Sequence, residues 1–153
     1  MIWFDIKELE QGLKNGDLSD KDIFKYLLAN LIVFSIIQYI PSNDYTTKWL
    51  IAIEIVIVIV ITVIGTKRTF DVNSAGDSKD YFKRFLSLSF VTGVRLFIFF
   101  CIAAIPLGTI VYLVDKSIGT NENIKDLFDI ALTAVAGILY YFMLTNSFKR
   151  VSQ

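Results

Sequence analysis

Two ionisable residues stand inside otherwise apolar runs: Glu54, within a stretch of Ile and Val, and Arg95, the one charge between positions 85 and 114. An ionised side chain near the centre of a bilayer costs roughly 2.5–3.5 kcal/mol on insertion scales, and it normally faces other helices or water. Three arrangements satisfy these two charges. They pair and join two membrane helices. They separate, Glu54 reaching one membrane surface and Arg95 the other. Or they line a water-filled path, where Arg95 attracts anions or gates and Glu54 binds cations or relays protons. Helical side chains lean toward the N-terminus of their own helix, which draws the two apart when their helices run in opposite directions. Asn30, Gln38 and Asp129 are the secondary polar candidates. Asp129 either joins Glu54 or is a first-turn acid favoured by the helix dipole.

Other chemistry is sparse. The sequence has no histidine, which removes the commonest metal ligand and the commonest general base together. The single cysteine, Cys101, lies in an apolar run, so it has no intramolecular disulfide partner and is poorly placed to form a thiolate. No metal-ligand cluster, phosphate-binding glycine loop or nucleophile–base set stands out. Neither an enzyme nor a metal or cofactor site is expected. Formal net charge is zero, which gives no overall attraction to nucleic acid.

The elements that must position these residues are membrane helices. The chain is 54% hydrophobic over 153 residues, and the apolar residues come in long runs rather than at amphipathic spacing. A run of about twenty apolar residues crosses a ~30 Å hydrocarbon core as a helix. Four such spans are expected, at about 23–40, 49–65, 85–114 and 127–148. The fold class is therefore an all-α integral membrane protein, a four-helix bundle preceded by a short cytoplasmic amphipathic helix within 1–22. In that first segment Ile6, Leu9 and Leu13 share a face, Asn15-Gly16 is a stop, and Ser19 with Asp22 has capping-box-like spacing for the next helix. A cytoplasmic loop is expected at 66–84, with turn chemistry at 71–77 and Ser78 capping the following helix, and a cytoplasmic tail at 149–153. Tight turns are expected at Pro41-Ser-Asn-Asp and Gly119-Thr-Asn.

Orientation follows from the basic residues outside the spans. Eleven fall in the N-terminal segment, the middle loop and the C-terminus, against three (Lys48, Lys116 and Lys125) in the other two loops. The positive-inside tendency then puts both termini in the cytoplasm, in the inner membrane of a bacterium if the Ile-, Lys- and Asn-rich composition reflects an AT-rich genome.

Small residues mark packing faces. Ser89 and Gly93, then Ala104 and Gly108, are small-x-x-x-small pairs on the side of the third span opposite Arg95, and Ala131, Ala134, Ala136 and Gly137 make the fourth span another close-packing helix. Four spans in one chain do not need so many close-approach faces, so a homo-oligomer is expected. Two functions fit. One is a small oligomeric pore- or channel-forming effector. The other is a non-conducting anchor or sensor subunit that recruits a cytosolic protein through the N-terminal helix or the 66–84 loop.

Overall fold

The computed structural model describes residues 2–37, 48–118 and 122–153. Among them there are five helices and no strand: α1 (Ile6–Asn15), α2 (Asp20–Ile37), α3 (Lys48–Ala75), α4 (Tyr81–Ile118) and α5 (Glu122–Val151). The expectations for Gln38 and for the turns at 41–44 and 119–121 lie outside the described residues.

α1 is delimited by its own caps. The Asp5 carboxylate accepts the amides of Lys7 and Glu8 at 3.0 and 3.1 Å, supplying two of the donors that a helix N-terminus leaves open. Gly16 closes the helix in the left-handed region at φ 76°, donating its N–H to the Gly12 carbonyl. Ser19 then accepts the Asp22 amide at 3.3 Å as α2 begins.

The connection between α3 and α4 differs from the expected 66–84 loop. Residues 66–75 continue α3 and 81–84 already belong to α4, leaving only 76–80 between them. The inward face of the extension explains why it stays helical. Thr69 is fully buried with its hydroxyl 3.0 Å from the Tyr81 hydroxyl. The Asn73 side-chain oxygen accepts from Arg84 at 2.8 Å. Ser78 does not cap the helix that follows. At φ 56° it turns back, and its hydroxyl donates to the Ser74 carbonyl at 2.8 Å, closing α3 instead.

α5 is the central helix. α3 and α4 lie against it, α2 packs on α4, and α1 lies across α4 and α5. The core sits at one end of this bundle, where Leu9, Tyr26, Leu88, Val91, Leu144 and Phe148 lose all contact with solvent. Each such apolar burial contributes about 1.5–3 kcal/mol. Polar ties converge on the same end. Arg150 donates from Nε and Nη2 to the two Glu10 carboxylate oxygens at 2.7 and 2.6 Å, and the Asp77 amide donates to the Ser152 carbonyl at 3.0 Å. The N-terminal helix, the 76–80 connection and the C-terminus thus form one cap. Within it, Arg84 grips Asp77 through both nitrogens of its fork, Nη2 to Oδ2 at 2.6 Å, and this hydrogen bonding holds the Asp77 carboxyl down at about 2.

Beyond the cap the helices turn apolar side chains outward. Phe97, Ile102 and Ile105 on α4 are 67–76% exposed, and Ile55 to Ile64 on α3 and Val135 to Phe142 on α5 form matching belts. Three helices are long and apolar enough to cross a membrane: Trp49–Ala75, Tyr81–Pro106 and Lys125–Val151. At 38 residues, α4 is about 57 Å long, so it outruns a ~30 Å hydrocarbon core and can carry both a span and its part of the cap. An exposed apolar belt joined to a packed polar-faced cap is compatible with a membrane protein. α2 is described only to Ile37, short of the end of the span expected at 23–40.

Candidate functional site

The two charges that stood out in the sequence occupy different places. Glu54 belongs to the seam between α3 and α5. Leu50, Glu54, Ile61, Gly65 and Thr69 recur at spacings of four and seven and form the stripe that α3 turns toward α5. There the Thr133 hydroxyl donates to Glu54 Oε1 at 2.9 Å. Asp129, one turn before Thr133, lies within electrostatic reach of Glu54. The seam is tight. A Cβ on Gly65 would lie 2.1 Å from Cγ of Tyr141, and one on Gly137 would lie 3.2 Å from Ile61. The Tyr141 hydroxyl lies 3.2 Å from that of Thr66, fixing the ring that covers Gly65. Ala134 is half-buried on the same helix.

Arg95 faces elsewhere. It lines a cavity of about 190 Å³ at the edge of the cap, between α1, α4 and α5, with Thr92, Ile6, Met143, Asn146, Ser147 and Arg150. Among the described residues Arg95 has no hydrogen-bond or ion-pair partner. The Thr92 hydroxyl, in a residue only 1% exposed, also has no partner there. Arg150 is engaged, donating to Glu10 and, through Nη2, to Ser147 Oγ at 3.1 Å. The structure therefore does not bring Arg95 and Glu54 together. Apart from its cap-end contacts with Tyr81 and Arg84, α3 packs on α5 rather than on α4, and the N-terminal lean of side chains sends Arg95 toward the cap and Glu54 away from it.

The cavity is a guanidinium beside two hydroxyls, an amide and a second, already neutralised guanidinium. Every polar group lining it can donate a hydrogen bond, and no carboxylate lines it. Its chemistry is that of an anion site. The three α5 polar residues escaped the sequence reading, although 143, 146, 147 and 150 have the spacing of one helical face. Arg150 read simply as a terminal cation.

The other candidates divide in the same way. Asn30 donates its amide to the Tyr26 carbonyl at 2.9 Å and to the Leu86 carbonyl of α4 at 3.1 Å, so it ties α2 to α4. Ser89 and Gly93 face α5: the Tyr140 hydroxyl donates to the Ser89 carbonyl at 3.5 Å, and a Cβ on Gly93 would touch the Tyr140 ring at 3.9 Å. Ala104 and Gly108 are exposed, and no described atom comes within 4 Å of the Cβ position of Gly108. Among the described residues no cluster of His, Cys, Asp or Glu could hold a metal ion. Compared with protein-family models, with curated proteins and with solved structures, the chain matches none.

Proposed function

We propose that this is a small four-span protein of a bacterial inner membrane, with both termini cytoplasmic, that assembles with copies of itself and forms or gates a conducting path. It is not an enzyme in this reading, and it uses neither cofactor nor nucleic acid. The observation that carries the reading is Arg95. A permanently charged guanidinium on an apolar helix, with no carboxylate partner among the described residues and opening onto a polar cavity, suits a vestibule that holds water or anions. The open Ala104/Gly108 face supports assembly, because small residues let helix backbones approach closely in lipid. The mostly apolar sequence expected to span at 23–40, whose first part is α2, supplies the fourth span, and the excess of Lys and Arg at the cap end supports its cytoplasmic placement.

The test is ion flux through liposomes containing the purified protein, beside Arg95→Ala and Glu54→Ala. Flux in the wild type that Arg95→Ala alters supports the vestibule. Liposomes that stay tight under every gradient, with and without native-membrane extract as a trigger, overturn it. A second reading is a non-conducting anchor or sensor subunit, favoured by the way Glu10 and Arg150 pin α1 into a ready-made cap. A stoichiometric cytosolic protein co-purifying from native membranes would favour it.

A further inference from the structure

We propose that the cavity between α1, α4 and α5 binds a phosphate group, held by Arg95, Thr92 and Asn146 and supplied by an anionic phospholipid headgroup or by a free phosphate. The proposal deepens the role of Arg95 and rests on the membrane placement given above.

Four observations carry it. Charge is the first. Arg150 is neutralised by Glu10, so Arg95 leaves the cavity with one net positive charge, the complement of a phosphodiester. The donors are the second. A guanidinium fork matches two phosphate oxygens, and the buried Thr92 hydroxyl beside it lacks any partner among the described residues, an unmet hydrogen bond that a bound acceptor would satisfy. Size is the third. A cavity of about 190 Å³ is larger than a single halide needs and has room for a tetrahedral oxyanion. Depth is the fourth. Ile6, at the start of α1, lines the cavity, and just before it Trp3 and Phe4 are 50% and 59% exposed, Trp3 lying edge-on to Phe90 of α4. Exposed aromatics at the edge of an apolar belt mark the headgroup level, where lipid phosphates lie. Ile6 and Met143 complete an apolar wall suited to the acyl chain of a phospholipid.

The experiment uses the full chain in a phosphate-free detergent solution. Native mass spectrometry reads retention of phosphatidylglycerol against phosphatidylcholine, and ³¹P line broadening reads binding of inorganic phosphate. The wild type is compared with Arg95→Gln, the near-isosteric Thr92→Val, and Lys67→Gln, which removes an exposed charge elsewhere. Circular dichroism checks folding of each. The expected result is a loss of affinity of about tenfold for Arg95→Gln and about fivefold for Thr92→Val, the worth of one charged and one neutral hydrogen bond, with Lys67→Gln unchanged. Retention of phosphatidylglycerol alone assigns the lipid headgroup as the source. Binding of inorganic phosphate as well assigns a site open to free phosphate. Binding of neither probe, or equal losses in Arg95→Gln and Lys67→Gln, overturns the proposal. Phosphate binding in a protein whose liposomes stay tight removes the conducting reading and leaves this site. Flux altered by Arg95→Ala without phosphate binding does the reverse.

Discussion

Substituting Gly65 by Ala tests the α3–α5 seam. The added Cβ would stand 2.1 Å from Cγ of Tyr141 and 2.3 Å from Cδ1, where a comfortable carbon–carbon distance is about 3.5–4.0 Å. The helices or the ring must therefore give way by about 1.5 Å. Cγ is held close to the α5 backbone, so the ring cannot relieve the overlap by moving only its far end, and displacing it endangers the hydroxyl contact with Thr66. Overpacking of this kind costs about 1–3 kcal/mol, and the lost hydrogen bond adds about 0.5–1.5 kcal/mol. Replacing glycine by alanine within a helix favours folding by about 0.8–1.0 kcal/mol, which offsets part of this. A net loss of about 1–3 kcal/mol follows. The assay is unfolding of the purified protein in mixed micelles titrated with sodium dodecyl sulfate, followed by circular dichroism. The other helical glycines form a graded control. Gly137→Ala meets Ile61 at 3.2 Å and is expected to be mildly destabilising. Gly93→Ala, at 3.9 Å from Tyr140, and Gly108→Ala, with nothing described within 4 Å, are expected to be neutral or stabilising in the monomer. If Gly65→Ala were as stable as the wild type, or no worse than Gly93→Ala, the seam geometry would be refuted. A destabilised Gly108→Ala that also shifts the oligomer would place a second copy on that face.

Two further predictions concern the cap. The Asp77 carboxyl is held at about 2 by its hydrogen bonds to Arg84, below its ordinary 3.8. A lowered folded-state value stabilises above the unfolded one, so this contribution is complete above about pH 4 and is lost as pH falls toward 2. Allowing for solvent screening, it is worth about 1–2 kcal/mol, and acid titrations of Asp77→Asn should lack that part of the loss. A parallel acid response in wild type and Asp77→Asn would remove the ion pair as its cause. Separately, Glu10→Ala removes both acceptors of the Arg150 fork. Because Arg150 is half-exposed, the expected cost is about 1–2 kcal/mol, read as roughly tenfold faster hydrogen exchange across α1 with α3 unchanged. Unchanged exchange in α1 would show that Leu9 and its neighbours hold the helix without the ion pair.

Much of this protein is legible one helix at a time. Hydropathy alone locates the apolar runs that become α3, α4 and α5, because the cost of exposing such a run to water depends only on its own residues. Asn15-Gly16 marks the end of α1, since a glycine at φ 76° is a local requirement. Glu54 and Gly65 share a stripe, because helical periodicity puts them there whatever lies opposite. What lies opposite was decided by the tertiary structure. Glu54 accepts from Thr133, 79 residues away, and α3 continues to Ala75 because Thr69 and Asn73 find Tyr81 and Arg84 to bond. The cavity around Arg95 combines Ile6, Thr92 and Asn146 from three separate helices. Apolar periodicity says which face of a helix is buried but not by which neighbour. In lipid, where the hydrophobic effect no longer sorts one helix from another, side-chain fit such as Tyr141 over Gly65 and a few polar contacts select the pairing.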